Sequence, residues 1–270
     1  MENLFGDLYT HELCEIYVDE ITLEEVKYTA IVPLQKMTSK ATWRPAPGRK
    51  MAYLLKHKQR IIGYLFFASP VINLAVRDNY LDIKNKEIPK GILLRNYMDL
   101  SGCVGIQPIS WYWNIGKLLA MVATCKEISD RYKEKYGDEL KGITTTSVFG
   151  KSIQYNRVYK HLGYTMGYGH EHISEDEYQY MLKYMANNNI PIPSCKFGEG
   201  SNPRMRRIAA YKKAVGEKVN FIHGHKRGFY YHDCENKPLN EIIIEWYNRW
   251  GKQRYENKKN ELPPYNSGLE

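Results

Sequence analysis

Tyr155 and Tyr159 lie four residues apart, just after a β-branched run, Gly142 to Phe149 (GITTTSVF). On a helix starting near Ser152 that spacing puts both phenols on one face, where a hydroxyl within hydrogen-bond reach can orient a substrate or pass a proton. The alternative is that Tyr159 only packs the helix against a sheet. Asp78 follows Arg77 and an apolar run, so it is either a group that orients or deprotonates an amine, or half of an ion pair or turn cap. Trp111, Tyr112 and Trp113 stand in a row and cannot all be buried on one helical face. At least one of them is expected to line a cleft, where an aromatic ring stacks on a purine. Arg204, Arg206 and Arg207, with Lys212, Lys213, Lys226 and Arg227, suit phosphates along a duplex or a solvated helix face. His223-x-His225 and His232-x-Cys234 flank a turn and offer four metal-ligand types, but the two histidines straddle Gly224, and no metal is assigned.

These residues sit in a chain of 270 residues with 43% hydrophobic, 13% aromatic and 26% charged content, enough to bury a core in one or two domains and too apolar for disorder. A mean hydropathy of −0.56 and the lack of a long apolar run argue against a membrane span, since Pro70 and Asn73 cut the longest one, Ile61 to Val76. The N-terminus is acidic and has no basic segment ahead of an apolar one, so no secretory leader is expected and a cytoplasmic location follows. Five cysteines without a CxxC pair read as reduced thiols. Lys plus Arg outnumber Asp plus Glu by 39 to 30, and the resulting +9 points to an anionic partner, nucleic acid or a phosphorylated cofactor among them. Most of the 23 tyrosines read as amphipathic filler at element edges.

Strands are expected over Lys27–Pro33, Lys50–Lys56 and Arg60–Ser69, within 92–107, and over Gly142–Phe149. Apolar residues at 115, 118, 119, 122 and 128 predict one amphipathic helix over Trp113–Tyr136, ended by Gly137. Further helices are expected from Ser152 to about Leu162, with Gly163 just past its end, over 174–186, and over Leu239–Tyr255. Two short strands, KVNFI and RGFYYHD, are expected around the turn HGHK. The order is a mixed α/β (α+β) one, divided into an N-terminal extension (1–26), a main domain (27–235) and a C-terminal helix and tail (236–270).

The run VGIQPISWYWNIGKLLAMV resembles the loop and helix by which acyl-CoA N-acyltransferases of the GNAT type hold the CoA pyrophosphate on backbone N–H groups at a helix N-terminus. The resemblance implies a mostly antiparallel sheet flanked by helices, with a C-terminal hairpin and helix extension. It also implies a CoA thioester such as acetyl-CoA, held by Trp111, Trp113, Asn114, Ile115, Gly116 and Lys117, although Asn114 stands where the first glycine belongs. SIQYNRVYKHLGY is similar to a segment of those enzymes whose tyrosine, here Tyr159, protonates the departing thiolate. GYLFFASPVINLAVRDNYLDI and NIGKLL resemble the domain of the DruA component of Druantia anti-phage systems. ITTTSVFGKSIQYNRVYKHLGYTMGYG is similar both to that domain and to the phage Mom proteins, which convert adenine in DNA to its N6-carbamoylmethyl form. A His-Tyr pair usual in those relatives is missing from MTSKATWRPAPGRK. The resemblance implies a Mom-like enzyme acting on double-stranded DNA, with Tyr159 as acid and Tyr155 or Asp78 handling the amine. The alternatives are an N-acetyltransferase of a protein or small amine, and a nucleic-acid-binding subunit that keeps the fold without the chemistry.

Overall fold

The computed structural model describes residues 15–38, 48–148, 150–170, 173–194, 203–219, 222–234 and 237–261, with backbone alone at 166–170 and 222–225. Four strands run antiparallel in chain order: β1 (Ile21–Val26), β2 (Lys50–His57), β3 (Arg60–Ala68) and β4 (Tyr97–Gly105). β4 then lies parallel to β5 (Gly142–Ser147), and β6 (Lys160–His170) and β7 (Ile222–Asp233) complete a seven-stranded sheet in the order β1-β2-β3-β4-β5-β7-β6. Lys58, at φ 57, makes the tight turn between β2 and β3.

β3 reads as a near-continuous apolar run because both faces of the sheet are covered. On one face, α1 (Tyr28–Thr38) sets Ile31 and Leu34 against Ala52, Leu54, Tyr64 and Phe66. On the other, α5 (Ile115–Val122) buries Leu118, Leu119 and Val122 over Leu55, Leu65 and Phe67. α5 lies so close to β3 that a Cβ at Gly63 would stand 2.6 Å from a methyl of Leu119. Around α5 sit α4 (Ile109–Trp113), α6 (Lys126–Tyr136), α9 (Leu239–Trp246) and α10 (Lys252–Lys258). The far face of β4 is covered by 71–96, which carries α2 (Ala75–Tyr80) and α3 (Lys90–Leu93), while α7 (Glu175–Asn187) and α8 (Pro203–Ala214) form a helical pair inserted between β6 and β7. No helix among the described residues is long and apolar enough to cross a membrane.

The mixed α/β class with a mostly antiparallel sheet is as expected, and so are β2, β3, β4 and β5. Five elements differ. Lys27–Pro33 is the start of α1, because Ile31 and Leu34, three apart, bury together only on a helix. The single helix expected over Trp113–Tyr136 is three: Asn114 adopts the left-handed conformation at φ 57, and the chain tightens at 123–125 through bonds such as Thr124 N–H to the Met121 carbonyl. Every position of the expected stripe is still buried, so the period located the core face and missed the breaks. Residues 152–159 form turns and Lys160 starts β6, so Ser152 caps no helix and Gly163 lies within a strand. HGHK falls inside β7, which removes the expected C-terminal hairpin; β6 and β7 pair instead across the α7–α8 insertion. Ile21–Val26, placed in an extension by the sequence, is the edge strand of the sheet.

Candidate functional site

β4 and β5 form a fork. They pair at Tyr97–Gly142, Met98–Ile143 and Asp99–Thr144, and the Thr145 hydroxyl donates to the Leu100 carbonyl at 2.8 Å. Beyond that point Ser101 is an extra residue in β4, since Leu100 faces Phe67 and Gly102 faces Phe66. Such a bulge bends a strand away from its neighbour.

The connection 152–158 closes the fork. Gln154 Nε2 donates to both the carbonyl and Sγ of Cys103, 2.9 Å each, and Tyr155 is buried between Thr145 and Cys103. The Lys117 ammonium donates to the carbonyls of Ile153 and Asn156, 2.7 Å each, while the Ser152 N–H donates to the Tyr230 hydroxyl at 2.7 Å. These bonds pin the connection over the start of α5, where a Cβ at Gly116 would lie 3.4 Å from the Gln154 carboxamide. Gly116 and Lys117 therefore meet the chain's own connection, while Ile115 is buried in the core and the Asn114 carbonyl accepts from the Trp246 indole. Trp113 is stacked on Tyr255 (centroids 4.2 Å apart, planes at 11°), and Trp111 packs under Arg254 and Lys258. A CoA thioester does not fit this arrangement: the fork is filled, the helix start is covered, and both tryptophans face the C-terminal helix.

Tyr155 and Tyr159 do come together, with centroids 5.6 Å apart, because the turns keep an i to i−4 bond from the Tyr159 N–H to the Tyr155 carbonyl. Burial raises both phenols well above 10, and the Tyr159 hydroxyl, in a residue 5% exposed, has no hydrogen-bond partner among the described residues. A buried hydroxyl left unpaired costs free energy that a phenyl ring would not. Tyr159→Phe is accordingly expected to leave stability unchanged or raise it by up to about 1 kcal/mol in chemical denaturation. A loss of that size would mean the hydroxyl has a partner.

Asp78 is a structural anchor. One carboxylate oxygen accepts from Arg77 at 2.6 and 3.0 Å, and the other from Lys90 and the Leu74 N–H. Burial works against ionisation there, but Lys90 and Arg77 outweigh it and hold the carboxyl below its usual range. Arg77, 1% exposed, spends its remaining donors on the carbonyls of Val71 and Ile72. The basic helix is similarly committed. Arg204 pairs with Glu175 over the Tyr178 ring, and Arg206 and Arg207 donate to the carbonyls of Ser194 and Pro193.

Lys226 and Arg227 lie elsewhere, on β7 where it meets the connection: a Cβ at Gly150 would come 3.6 Å from the Lys226 carbonyl. Lys151 stands beside them, close enough to His161 to help burial lower that imidazole's pKa. Among the described residues none of these three cations has a carboxylate partner. Trp43 and Arg44 of the segment lacking the His-Tyr pair, the side chains of His223 and His225, and His172 lie outside the description. Among the described residues, no group of three or more His, Cys, Asp or Glu could hold a metal ion.

Asp99 was not singled out from sequence. It sits at the base of the fork, half-buried, accepting from the Ser101 hydroxyl at 2.7 Å and the Thr144 hydroxyl at 3.1 Å. Burial raises its pKa against those two bonds and against Arg77. A carboxylate in an otherwise apolar strand, YMDLSGCV, was the available signal.

Residues 37–237 match the family model described as "Druantia protein DruA". The chain belongs to the DruA family. A Druantia protein DruA of Escherichia coli (strain UMEA 4076-1) is 30% identical over 67% of this chain and 50% of its own length. The chain thus spans about half the length of the DruA protein it matches. The DruA match takes in the fork, the connection that closes it, Asp99 and the Lys151–Lys226–Arg227 ridge, and ends before α9 and α10.

Proposed function

We propose that this DruA-family chain is the nucleic-acid-binding component of an anti-phage defence, and that it engages double-stranded DNA through Lys151, Lys226 and Arg227. One observation carries this reading: three cations without carboxylate partners among the described residues lie near one another, Lys226 and Arg227 on the two faces of β7 and Lys151 next to Gly150, where the chain passes against that strand. An exposed cation paired with a carboxylate of the same chain changes the stability of the fold little and is less available to a partner. Cations left uncompensated on a rigid ridge hold counterions instead, and a phosphate backbone that displaces those ions gains their release. Tyr164, 44% exposed, stands on β6 opposite Gly228, next to the ridge, and offers a hydroxyl or ring to the same backbone. The net charge of +9 supports long-range attraction. The test is fluorescence anisotropy of a labelled duplex across salt concentrations. For three phosphate contacts the slope of log affinity against log salt is about −2.7. A flat line, or no binding at low salt, removes this reading.

A second reading, modification of a base amine, is favoured by Asp99. An exocyclic amine is a weak nucleophile because its lone pair is delocalised into the ring, so it needs a group that takes its proton. A half-buried carboxyl with a raised pKa, oriented by two hydroxyls and lying beside the exposed Ser101, not within the part of the fork that Gln154 and Tyr155 fill, is suited to that task. Mass spectrometry of nucleosides from DNA of expressing cells tests it. A modified adenosine present with the wild type and absent with Asp99→Asn supports the second reading, and unmodified DNA in both rejects it.

A further inference from the structure

We propose that a cleft at the Arg157 end of the connection binds a phosphomonoester, a group with two negative charges. The cleft measures about 200 Å³ and lies between residues 157–158, the C-terminal end of α5 and the stretch that joins α9 to α10. It is separate from the fork: His232, which lines it, pairs with Ile143 near the start of β5, whereas the fork opens past Thr144.

Two guanidiniums define it. Arg157 sits at φ 67, a left-handed conformation that an arginine rarely adopts, and this backbone is fixed by the Lys117 bonds to the carbonyls of Ile153 and Asn156. Arg249 comes from a π-helical turn, Tyr247–Gly251, whose wider winding interrupts the α-helix and brings both Arg249 and Trp250 to the cleft. The Trp250 indole holds the Arg249 guanidinium at 4.5 Å from its ring centre. Among the described residues neither arginine has a carboxylate partner. The carboxylate in the lining, Glu245, is paired with Lys237 at 2.7 Å. Both guanidiniums also act on Lys117, whose ammonium is brought to about 8 by burial and by these two charges. The fields of Arg157 and Arg249 therefore overlap in one place.

The chemistry selects the ligand. Two planar forks present donors in the geometry that phosphate oxygens accept in pairs. Two uncompensated positive charges match the two charges of a phosphomonoester better than the single charge of a diester or a carboxylate. Such a group is found at the 5′ end of a nucleic-acid strand and on a free nucleotide. The nucleic-acid arm of this inference rests on the DNA reading above, and the nucleotide arm stands alone.

The test compares an oligonucleotide duplex with and without a 5′-phosphate, labelled at its 3′ end, and adds calorimetric titration with 5′-AMP. For a strand end, the phosphorylated duplex binds about tenfold tighter or better than its 5′-hydroxyl twin, and Arg157→Gln with Arg249→Gln removes the preference. Both arginines are exposed, and the 5′-hydroxyl duplex, held by the separate ridge, should bind the double variant as before. For a free nucleotide, 5′-AMP binds saturably to the wild type and not to the double variant, while the two duplexes bind alike. Equal binding of the duplexes together with no 5′-AMP binding overturns the cleft. Loss of all duplex binding with 5′-AMP binding intact overturns the DNA reading and leaves the cleft standing.

Discussion

Trp246→Ala lowers the stability of the protein by about 3–5 kcal/mol, the range expected when a large aromatic side chain leaves a cavity in a packed core. Trp246 is fully buried at the end of α9, beside Trp113 and Tyr247, and its indole N–H donates to the Asn114 carbonyl at 3.3 Å. A Cβ at Gly251 would stand 2.9 Å from its ring, so the chain runs directly against the indole and cannot collapse far into the space it leaves. The effect should spread beyond the C-terminal helix, because the same cluster contains α5 and Tyr155. Guanidinium denaturation followed by far-UV circular dichroism measures it. A midpoint shift equivalent to less than about 1 kcal/mol would mean that the C-terminal helix is an appendage and not part of the core.

The other large effect is on binding. Changing Lys151, Lys226 and Arg227 together to Glu should weaken duplex binding at about 0.1 M salt by about 10²-fold or more, because three phosphate contacts contribute roughly 2.7 decades of counterion release at that concentration. Arg204→Ala, Arg206→Ala and Arg207→Ala together should do much less to affinity, since those side chains hold α7, α8 and the 190–194 loop to one another. Anisotropy titrations of the two triple variants side by side measure the contrast. Equal losses in both would return the interface to the arginine helix that the sequence favoured.

The legible and illegible parts of the chain separate by physical cause. Strands such as Arg60–Ala68 could be read because burial on both faces leaves a continuous apolar run, and the face of α5 because Leu118, Leu119 and Val122 recur at helical spacing. Lys27–Pro33 was misread because its β-branched content is local, whereas the burial of Ile31 with Leu34 is a tertiary fact. Tyr155 and Tyr159 were paired correctly on the wrong element: a helix and a set of turns can share the same i to i−4 spacing. The closure of the fork by Gln154 was out of reach, since a glutamine in a turn has no pattern that marks its partner fifty-one residues away. The arginine run was conspicuous, yet only the structure shows which cations are spent internally and which, like Lys151, have no carboxylate partner among the described residues.

The seam at the fork also bears on the order in which the chain folds. β2 and β3 are joined by a tight turn, and the α1 and 71–96 excursions that link β1 to β2 and β3 to β4 are shorter than the stretches that separate β4 from β5 and β5 from β7, so pairing within β1 to β4 closes the shorter loops. β5 must find β4 across the whole of α4, α5 and α6, and then β7 from a partner as distant as Gly142 is from Asp233. Contacts of such separation are slow to form. The four-stranded meander is thus a nucleus that can stand first, and the parallel seam is the step that waits. The closing connection, the Lys151 ridge and the Arg157 cleft all lie on the late side of that step, so a chain interrupted at the seam would hold its first four strands and have neither ridge nor cleft.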